Sequence, residues 1–285
     1  MQWLQCSSWE NTPSGKEQEW PGVHGLVVPR GSCLSNNCCF PKLQKNMEKL
    51  LLWLLVLTGL SGITAQEDLF GHVLIFPKAS PTAYIPLGTK NKQSLQSFTV
   101  CLRYFSDLTR DYSLFSYASR TSDNEILLFR SFPDVYKIYI GGTAVTFRVP
   151  EKEKKWPEWV HICTSWESAT GIVQLWVDGK PLPRKGLQKG YSVKAEAVIL
   201  LGQDQDSYGA GFDENQSFVG EITDVHMWDH VLTPAEIRLI KNNEVLPLHP
   251  MDWRNMSYEI KGYVLLKPSL CPMYRAPQAT QEEEL

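Results

Sequence analysis

Two short acidic stretches carry the chemistry this sequence offers. The first is Asp123-Asn124-Glu125. The second is Asp204-Gln205-Asp206, followed across the loop Ser207-Tyr-Gly-Ala-Gly-Phe212 by Asp213 and Gln216. These are hard oxygen donors with no accompanying cluster of His or Cys, which is the ligand set that calcium prefers. In an extended segment residues two apart point to the same side, so Asp204 and Asp206 can converge with the carbonyl of Gln205 between them. The glycine-bearing loop is flexible enough to fold Asp213 and Gln216 back toward the same place. A calcium ion takes about 6–8 oxygens. Asp123, Asp204, Asp206 and Asp213, with the nearby amide and carbonyl oxygens, would suffice for two ions that share ligands. Open coordination positions would then accept an anionic oxygen from a ligand. Asp, Asn and Gly are also common in solvated turns, and residue type alone leaves that alternative open.

Those loops need a frame, and from His72 onward the chain reads as many short strands. Apolar or alternating runs fall at His72–Phe76, Phe98–Phe105, Tyr112–Tyr117, Ile126–Phe129, Ile138–Ile140 and Ala144–Val149. They continue at Trp159–Trp166, Gly171–Val177, Ala197–Leu201, Phe218–Trp228 and Gly262–Leu266. Phe98-Thr-Val-Cys-Leu-Arg-Tyr104 alternates as a half-buried strand does. Gly141-Gly142 and Asp178-Gly179 mark hairpin turns between such runs. Many strands at this spacing, with few helical stretches, predict an all-β fold, a two-sheet sandwich or jelly roll. One short helix is predicted as well. Thr233-Pro234-Ala235-Glu236 reads as an N-cap, a Pro at the first helical position and a Glu at N3. Ile237 and Ile240 then share a face that should dock on a sheet.

Composition is that of a globular protein, 43% hydrophobic and 21% charged. With 28 Lys and Arg against 31 Asp and Glu, the net charge is -3, so no strong basic field attracts nucleic acid. Met47-Glu48-Lys49 leads into Leu50-Leu-Leu-Trp-Leu-Leu-Val-Leu57 and then small residues to Ala65, the form of a secretory signal peptide over 47–65. That run is too short to span a bilayer, which takes about 20 residues. The expected setting is therefore secreted and extracellular. Residues 1–46 lie upstream of this complete signal and show no sustained periodicity, so they are assigned no fold. Residues 66–270 form the expected domain, and 271–285, ending Gln-Glu-Glu-Glu-Leu, read as a mobile tail.

Of the 7 cysteines, Cys101, Cys163 and Cys271 follow the signal. In an oxidising compartment two of these should pair. Cys101 and Cys163 both stand in strand-like runs and are paired here, leaving Cys271 over. Asn215-Gln-Ser217 and Asn255-Met-Ser257 are glycosylation sequons. A glycan on Asn215 would crowd Gln216, so Asn255 is the expected acceptor. His161 and Trp166 read as packing residues, and the mixed-charge run Glu151–Lys155 as a solvated loop.

The run His161-Ile-Cys-Thr-Ser-Trp-Glu-Ser168 resembles the pentraxin signature His-x-Cys-x-Ser/Thr-Trp-x-Ser/Thr, complete and in frame. The similarity extends from about Met47 to Lys267. Asp123-Asn-Glu-Ile-Leu-Leu128, Trp166–Lys180 and Leu201-Gly-Gln-Asp-Gln-Asp-Ser207 carry it, with C-reactive protein the nearest short pentraxin and serum amyloid P component next. A motif of this length is far more specific than a short pattern. The resemblance implies a flattened jelly roll with the helix on one face, a homo-oligomeric ring that is usually pentameric, and calcium sites on the opposite face. It implies a Cys101–Cys163 disulfide. It also implies two calcium ions per subunit, held by Asp123, Asn124, Asp204, the Gln205 carbonyl, Asp206, Asp213 and Gln216. By the same resemblance the protein is a secreted recognition protein of innate immunity. Its ligands would be phosphocholine, phosphoethanolamine or acidic sugars on microbes and damaged cells. It would engage complement and make only peripheral contact with damaged membranes.

Three departures from the family pattern bear on this. Asp204 stands where the family usually has a Glu that bridges both ions, and one methylene less should weaken the second site. In the expected ligand pocket Leu127 and Phe129 match the apolar wall of C-reactive protein and Tyr139 matches the aromatic of serum amyloid P component. Ala144 occupies the position of the Glu that faces the quaternary ammonium. Phosphate contact with calcium should survive and choline selectivity should fall, although Phe129 and Tyr139 can hold a cation over their rings, worth about 0.5–2 kcal/mol. Asp178 matches a family residue linked to complement binding, while Lys241 replaces a Tyr on that surface.

Other functions fit the same architecture. A serum amyloid P-like binder would take acidic sugars and debris without choline selectivity. A jelly-roll glycosidase needs two carboxylates across a cleft, but the acids here cluster as metal ligands and no isolated pair stands out, so the chain is read as a non-enzyme. A structural adhesion module would hold its partners without calcium. A ring of weak calcium-dependent sites would gain avidity on a surface studded with headgroups.

Overall fold

Residues 49, 69–88, 93–149, 157–244, 246 and 250–270 are described by a computed structural model of the protein. The 1–46 leader, the apolar run Leu50–Leu57, Glu151–Lys155 and Cys271 with its tail lie outside them.

The strands run in chain order β1 (His72–Phe76), β2 (Ile85–Leu87), β3 (Ser97–Phe105), β4 (Tyr112–Ser119), β5 (Ser122–Ser131), β6 (Val135–Ile140) and β7 (Thr143–Arg148). They continue with β8 (Val160–Glu167), β9 (Ile172–Val177), β10 (Lys180–Pro181), β11 (Lys185–Gly186), β12 (Val198–Leu201), β13 (Gly220–Trp228) and β14 (Leu265–Pro268). They build two antiparallel sheets that form a sandwich. The larger has the order β10-β9-β8-β3-β13-β1-β14, with β11 also on β9, and the smaller has the order β2-β12-β4-β5-β6-β7. Alternation sorts the side chains. Val100, Leu102 and Tyr104 of β3 join Leu114, Ile126, Leu128, Ile138 and Phe147 of the smaller sheet in the core between the layers, while Cys101 faces the other way. Each such buried side chain contributes about 1.5–3 kcal/mol relative to exposure.

The helix α1 (Pro234–Lys241) forms as the sequence predicts. The Thr233 hydroxyl accepts from the Glu236 amide at 3.3 Å, and the Glu236 carboxylate accepts from the Thr233 amide at 2.7 Å. A helix of 8 residues is too short to persist alone, so docking holds it. Ile237 and Ile240 pack with Leu232, Trp176, Trp228, Cys101 and Cys163 on the outer face of the larger sheet. Cys101 and Cys163 sit directly opposite each other on β3 and β8 and form the expected disulfide, at 2.03 Å.

Gly141 and Gly142, at φ +54° and +76°, make the β6–β7 turn, and Asp178 and Gly179, at +51° and +73°, make the β9–β10 turn. Both pairs adopt the left-handed values a two-residue hairpin needs. Two details differ from expectation. The acidic triplet 123–125 lies inside β5, where the reading put it just before a strand. The amides of Gly141 and Gly142 donate to the carbonyls of Glu125 and Asn124 at 3.1 and 2.9 Å, and this extends the ladder. Strand β2 was not expected, because Pro86 interrupts its run; it lies at a sheet edge, where a missing donor is tolerated.

Candidate metal centre and ligand face

Asp123 and Asn124 stand at the start of β5, and the other candidate ligands follow β12. Gly202, at φ +86°, turns the chain out of the sheet. The next residues are then laid across the outer face of β4 by the Gln205 side chain. Its Nε2 donates to the Ser116 carbonyl, the Ser116 hydroxyl and the Val198 carbonyl at 3.2, 3.1 and 3.1 Å, and its Oε1 accepts from the Gly209 amide at 2.9 Å. That side chain is fully committed, so only the main-chain carbonyl of Gln205 remains to face a metal. Gly211 packs so closely that a Cβ there would lie 2.9 Å from the Cβ of Asp206.

A 3-10 turn, Glu214–Gln216, carries the last ligands. Asp213 caps it, accepting from the Asn215 amide at 2.9 Å and from Asn215 Nδ2 at 3.0 Å. Arg110 fixes the turn by donating to the carbonyls of Asn215 and Ser217 at 3.0 and 2.7 Å. Ser217 in turn accepts from the Ser80 amide at 3.2 Å and donates to the Glu214 carbonyl at 2.6 Å. Arg110, Ser80 and Ser217 are positioning residues the sequence reading missed. Arg110 and Ser80 reach Ser217 across more than a hundred residues of chain, so no local pattern signals them.

The donor set fits a cation. Asn124 Oδ1, Asp204 Oδ1 and Gln216 Oε1 are buried and accept no hydrogen bond. Leaving a buried oxygen unsatisfied costs about 1–3 kcal/mol, and here three separate segments each bring one. The carboxylates also load one another. Burial pushes the Asp204 carboxyl up to about 7, reinforced by Asp206 and Asp123 and partly offset by the Gln205 amide. The Asp206 carboxyl is raised by partial desolvation, then by Asp123 and Asp213. Among the described residues the one trio of His, Cys or acidic ligand atoms within 4.8 Å of one another is Cys101, His161 and Cys163. Its two sulfurs are joined to each other, so that trio is no metal site. Glu125, third in the acidic triplet, turns inward. It accepts from Ser119 Oγ and Tyr191 Oη, both at 2.9 Å, and from the Lys194 amide at 3.2 Å, and so serves the fold.

The expected pocket residues line up on the outer face of the smaller sheet. Leu127, Tyr139 and Ala144 are direct cross-strand neighbours on β5, β6 and β7. The Tyr139 hydroxyl is raised by burial, then by Asp204 and Asp111. The apolar wall, however, is nearly closed, with Leu127 1% and Phe129 7% exposed. Leu127 pairs with Ser116, the residue over which Gln205 is laid. Half-buried Tyr139 and exposed Ala144 are what a ligand can reach. Lys137 pairs with Phe129 across β5–β6 and holds its ammonium 6.0 Å from that ring. The sequence reading passed it over, although its spacing of two from Tyr139 in an alternating strand places both on one face.

The helix face carries other chemistry. Asp178 Oδ1 accepts from the His161 amide at 3.0 Å, and the neighbouring Gly179 packs against the Lys241 stem, so Asp178 and Lys241 share one surface. Trp166 is buried and donates to the Leu187 carbonyl at 2.9 Å, as a packing residue does. Of the sequon asparagines, Asn215 has its Nδ2 engaged with Asp213, whereas Asn255 is exposed in a turn.

The sequence profile of the Pentaxin family matches residues 72–268. The chain belongs to that family and is a pentraxin. It is 53% identical to the serum amyloid P-component of Sus scrofa over 224 residues, 78% of this chain and 98% of that one. It is 47% identical to the C-reactive protein of the same species over 226 residues, 79% of this chain and all of the other. Within that pair the identity is thus higher to serum amyloid P-component. Among solved structures, a native heptameric SAP-like pentraxin from Limulus polyphemus superposes with a TM-score of 0.65 at 22% identity, covering 72% of this chain and 98% of its own. That likeness shows the shared sandwich. Membership of the family makes this pentraxin a binding protein and not an enzyme. Among the described residues no helix is long and apolar enough to cross a membrane.

Proposed function

We propose that this pentraxin is a secreted, calcium-dependent recognition protein for phosphate headgroups or acidic sugars on microbes and damaged cells. Two calcium ions per subunit would be held by Asp123, Asn124, Asp204, the Gln205 carbonyl, Asp206, Asp213 and Gln216. The observation that supports this reading is three buried oxygens without a donor, on Asn124, Asp204 and Gln216, together with the upward push that neighbouring carboxylates give Asp204 and Asp206. A divalent cation satisfies both needs at once, and calcium accepts oxygen ligands in flexible geometry. When bound, the metal supplies positive charge and open coordination positions for an anionic oxygen of the ligand. Asp204 reaches one methylene less far than the usual Glu, so the second ion is held more loosely.

Subunits assemble as a homo-oligomeric ring, pentameric by family habit, and arrayed weak sites gain avidity. The relative from Limulus polyphemus is heptameric. Any complement engagement uses the surface of Asp178 and Lys241, and Asn255 carries the glycan. The test is binding to immobilised phosphoethanolamine in calcium and then in chelator. Binding should need calcium and should vanish in Asp206→Ala. Equal retention in chelator would refute the proposal.

A further inference from the structure

We infer that the ligand site of this chain selects ligands anionic at both ends and disfavours choline, with Lys137 as the residue that sets the preference. The inference rests on the calcium reading above. Lys137, Tyr139, Phe129 and Ala144 share the outer face of the smaller sheet through direct cross-strand registers. The Lys137 ammonium lies 6.0 Å from the Phe129 ring centroid, at the reach where a cation and a ring still attract. It forms no ion pair with any described residue. The Phe129 ring, already nearly closed to solvent, therefore has a cation of the protein's own beside it. A trimethylammonium entering there would meet a like charge, and Ala144 offers no carboxylate to offset it.

The same row has a polarity along the strand. Tyr139 stands nearer the acidic end, because its partner Leu127 lies closer along β5 to Asp123 and Asn124 than does Phe129, the partner of Lys137. Lys137 is two residues away on the same side, about 7 Å along the strand. A phosphate or acid held at the metal end thus places a second negative group, one short linker away, against the lysine. The ligand class is a phosphorylated or acidic sugar, or a phosphate ester, that carries a further carboxylate or sulfate.

Calorimetric titration of the secreted full chain in calcium tests this with two compounds of matched length. One is phosphocholine. The other is 3-phosphonooxypropanoate, which keeps the phosphate ester and linker and replaces the trimethylammonium with a carboxylate. The native chain should bind the carboxylate compound about two- to fivefold more tightly, the range for a partly exposed charge pair. Lys137→Ser should erase or reverse that preference, and Lys137→Arg should keep it. Phosphocholine binding as tightly as the carboxylate compound, or an unchanged ratio in Lys137→Ser, would overturn the inference and leave the calcium reading standing. If neither compound bound in calcium, both would fail together.

Discussion

On the outside of the larger sheet, α1 covers the Cys101–Cys163 disulfide with Trp176, Trp228, Ile237 and Ile240. On the outside of the smaller sheet, the segment after β12 brings Asp204 and Asp206 within electrostatic range of Asp123, and Asp213 within that of Asp206. Charge on the helix side is matched within the chain. Arg103 pairs with Asp224 at 2.9 Å and donates to Asn243 Oδ1 at 2.8 Å and to the Lys241 carbonyl at the end of the helix. Cations there also favour the negative end of the helix dipole. On the acidic side like charges adjoin and buried oxygens lack donors. The polypeptide completes the first region by itself, whereas the second, on the proposed reading, takes a charge from outside. The two regions should therefore respond differently to mutation, pH and metal.

The largest expected effect falls on the helix side. Ile237→Ala removes a side chain 1% exposed and should cost about 2–5 kcal/mol in chemical denaturation, while calcium affinity measured on the folded variant stays unchanged. A fall in calcium affinity would show that the faces are coupled. A smaller effect, about 2 kcal/mol, comes from His161. Burial, then Arg103, Lys241 and His226, lower its pKa to about 3. The folded state thus refuses a proton that the unfolded chain accepts below about pH 6.5. Stability on this account is unaffected above that value and is lost as pH falls from there toward 3, with about 2 kcal/mol gone between neutral pH and about pH 5. His161→Gln should remove that part of the slope. If the variant and the native chain fell in parallel over this range, His161 would not be the source.

The metal side should show smaller but more telling changes. Gly211 has φ +80° and no room for a Cβ beside Asp206, so Gly211→Ala should cost about 1 kcal/mol and weaken calcium binding. Unaltered calcium affinity would detach this loop from the site. Asp206→Asn should split the two quantities in sign. Relief from Asp123 and Asp213 raises metal-free stability slightly, by up to about 0.5 kcal/mol, while the stabilisation by calcium disappears. A surface acid with no metal role would change neither by much.

Much of the helix side was legible in the sequence, because its signals are local. Thr233 through Glu236 spell a cap, Ile237 and Ile240 spell a buried stripe, and Cys101 and Cys163 lie in alternating runs. The hairpin pairs Gly141-Gly142 and Asp178-Gly179 were legible for the same reason. The candidate metal site was legible only as residue types, and its ligand set came from the family resemblance. The bond of Gln205 to Ser116 holds the segment of Asp204 and Asp206, and that of Arg110 to Ser217 holds the turn of Asp213 and Gln216, contacts that no local pattern announces. Register governs the rest. Leu127 is closed off because it pairs with Ser116, and Lys137 stands over Phe129 because β5 and β6 meet there. Neither pairing can be read from one strand alone.

The account's central claim is that folded chain and calcium complete each other at the acidic cluster, and calorimetric melting of the full chain across a calcium titration tests it most directly. Saturable stabilisation is predicted, about 3 kcal/mol at a hundredfold excess over the dissociation constant and so about 5–10 °C in melting temperature, absent in Asp206→Asn. Melting curves that coincide with and without calcium would contradict it.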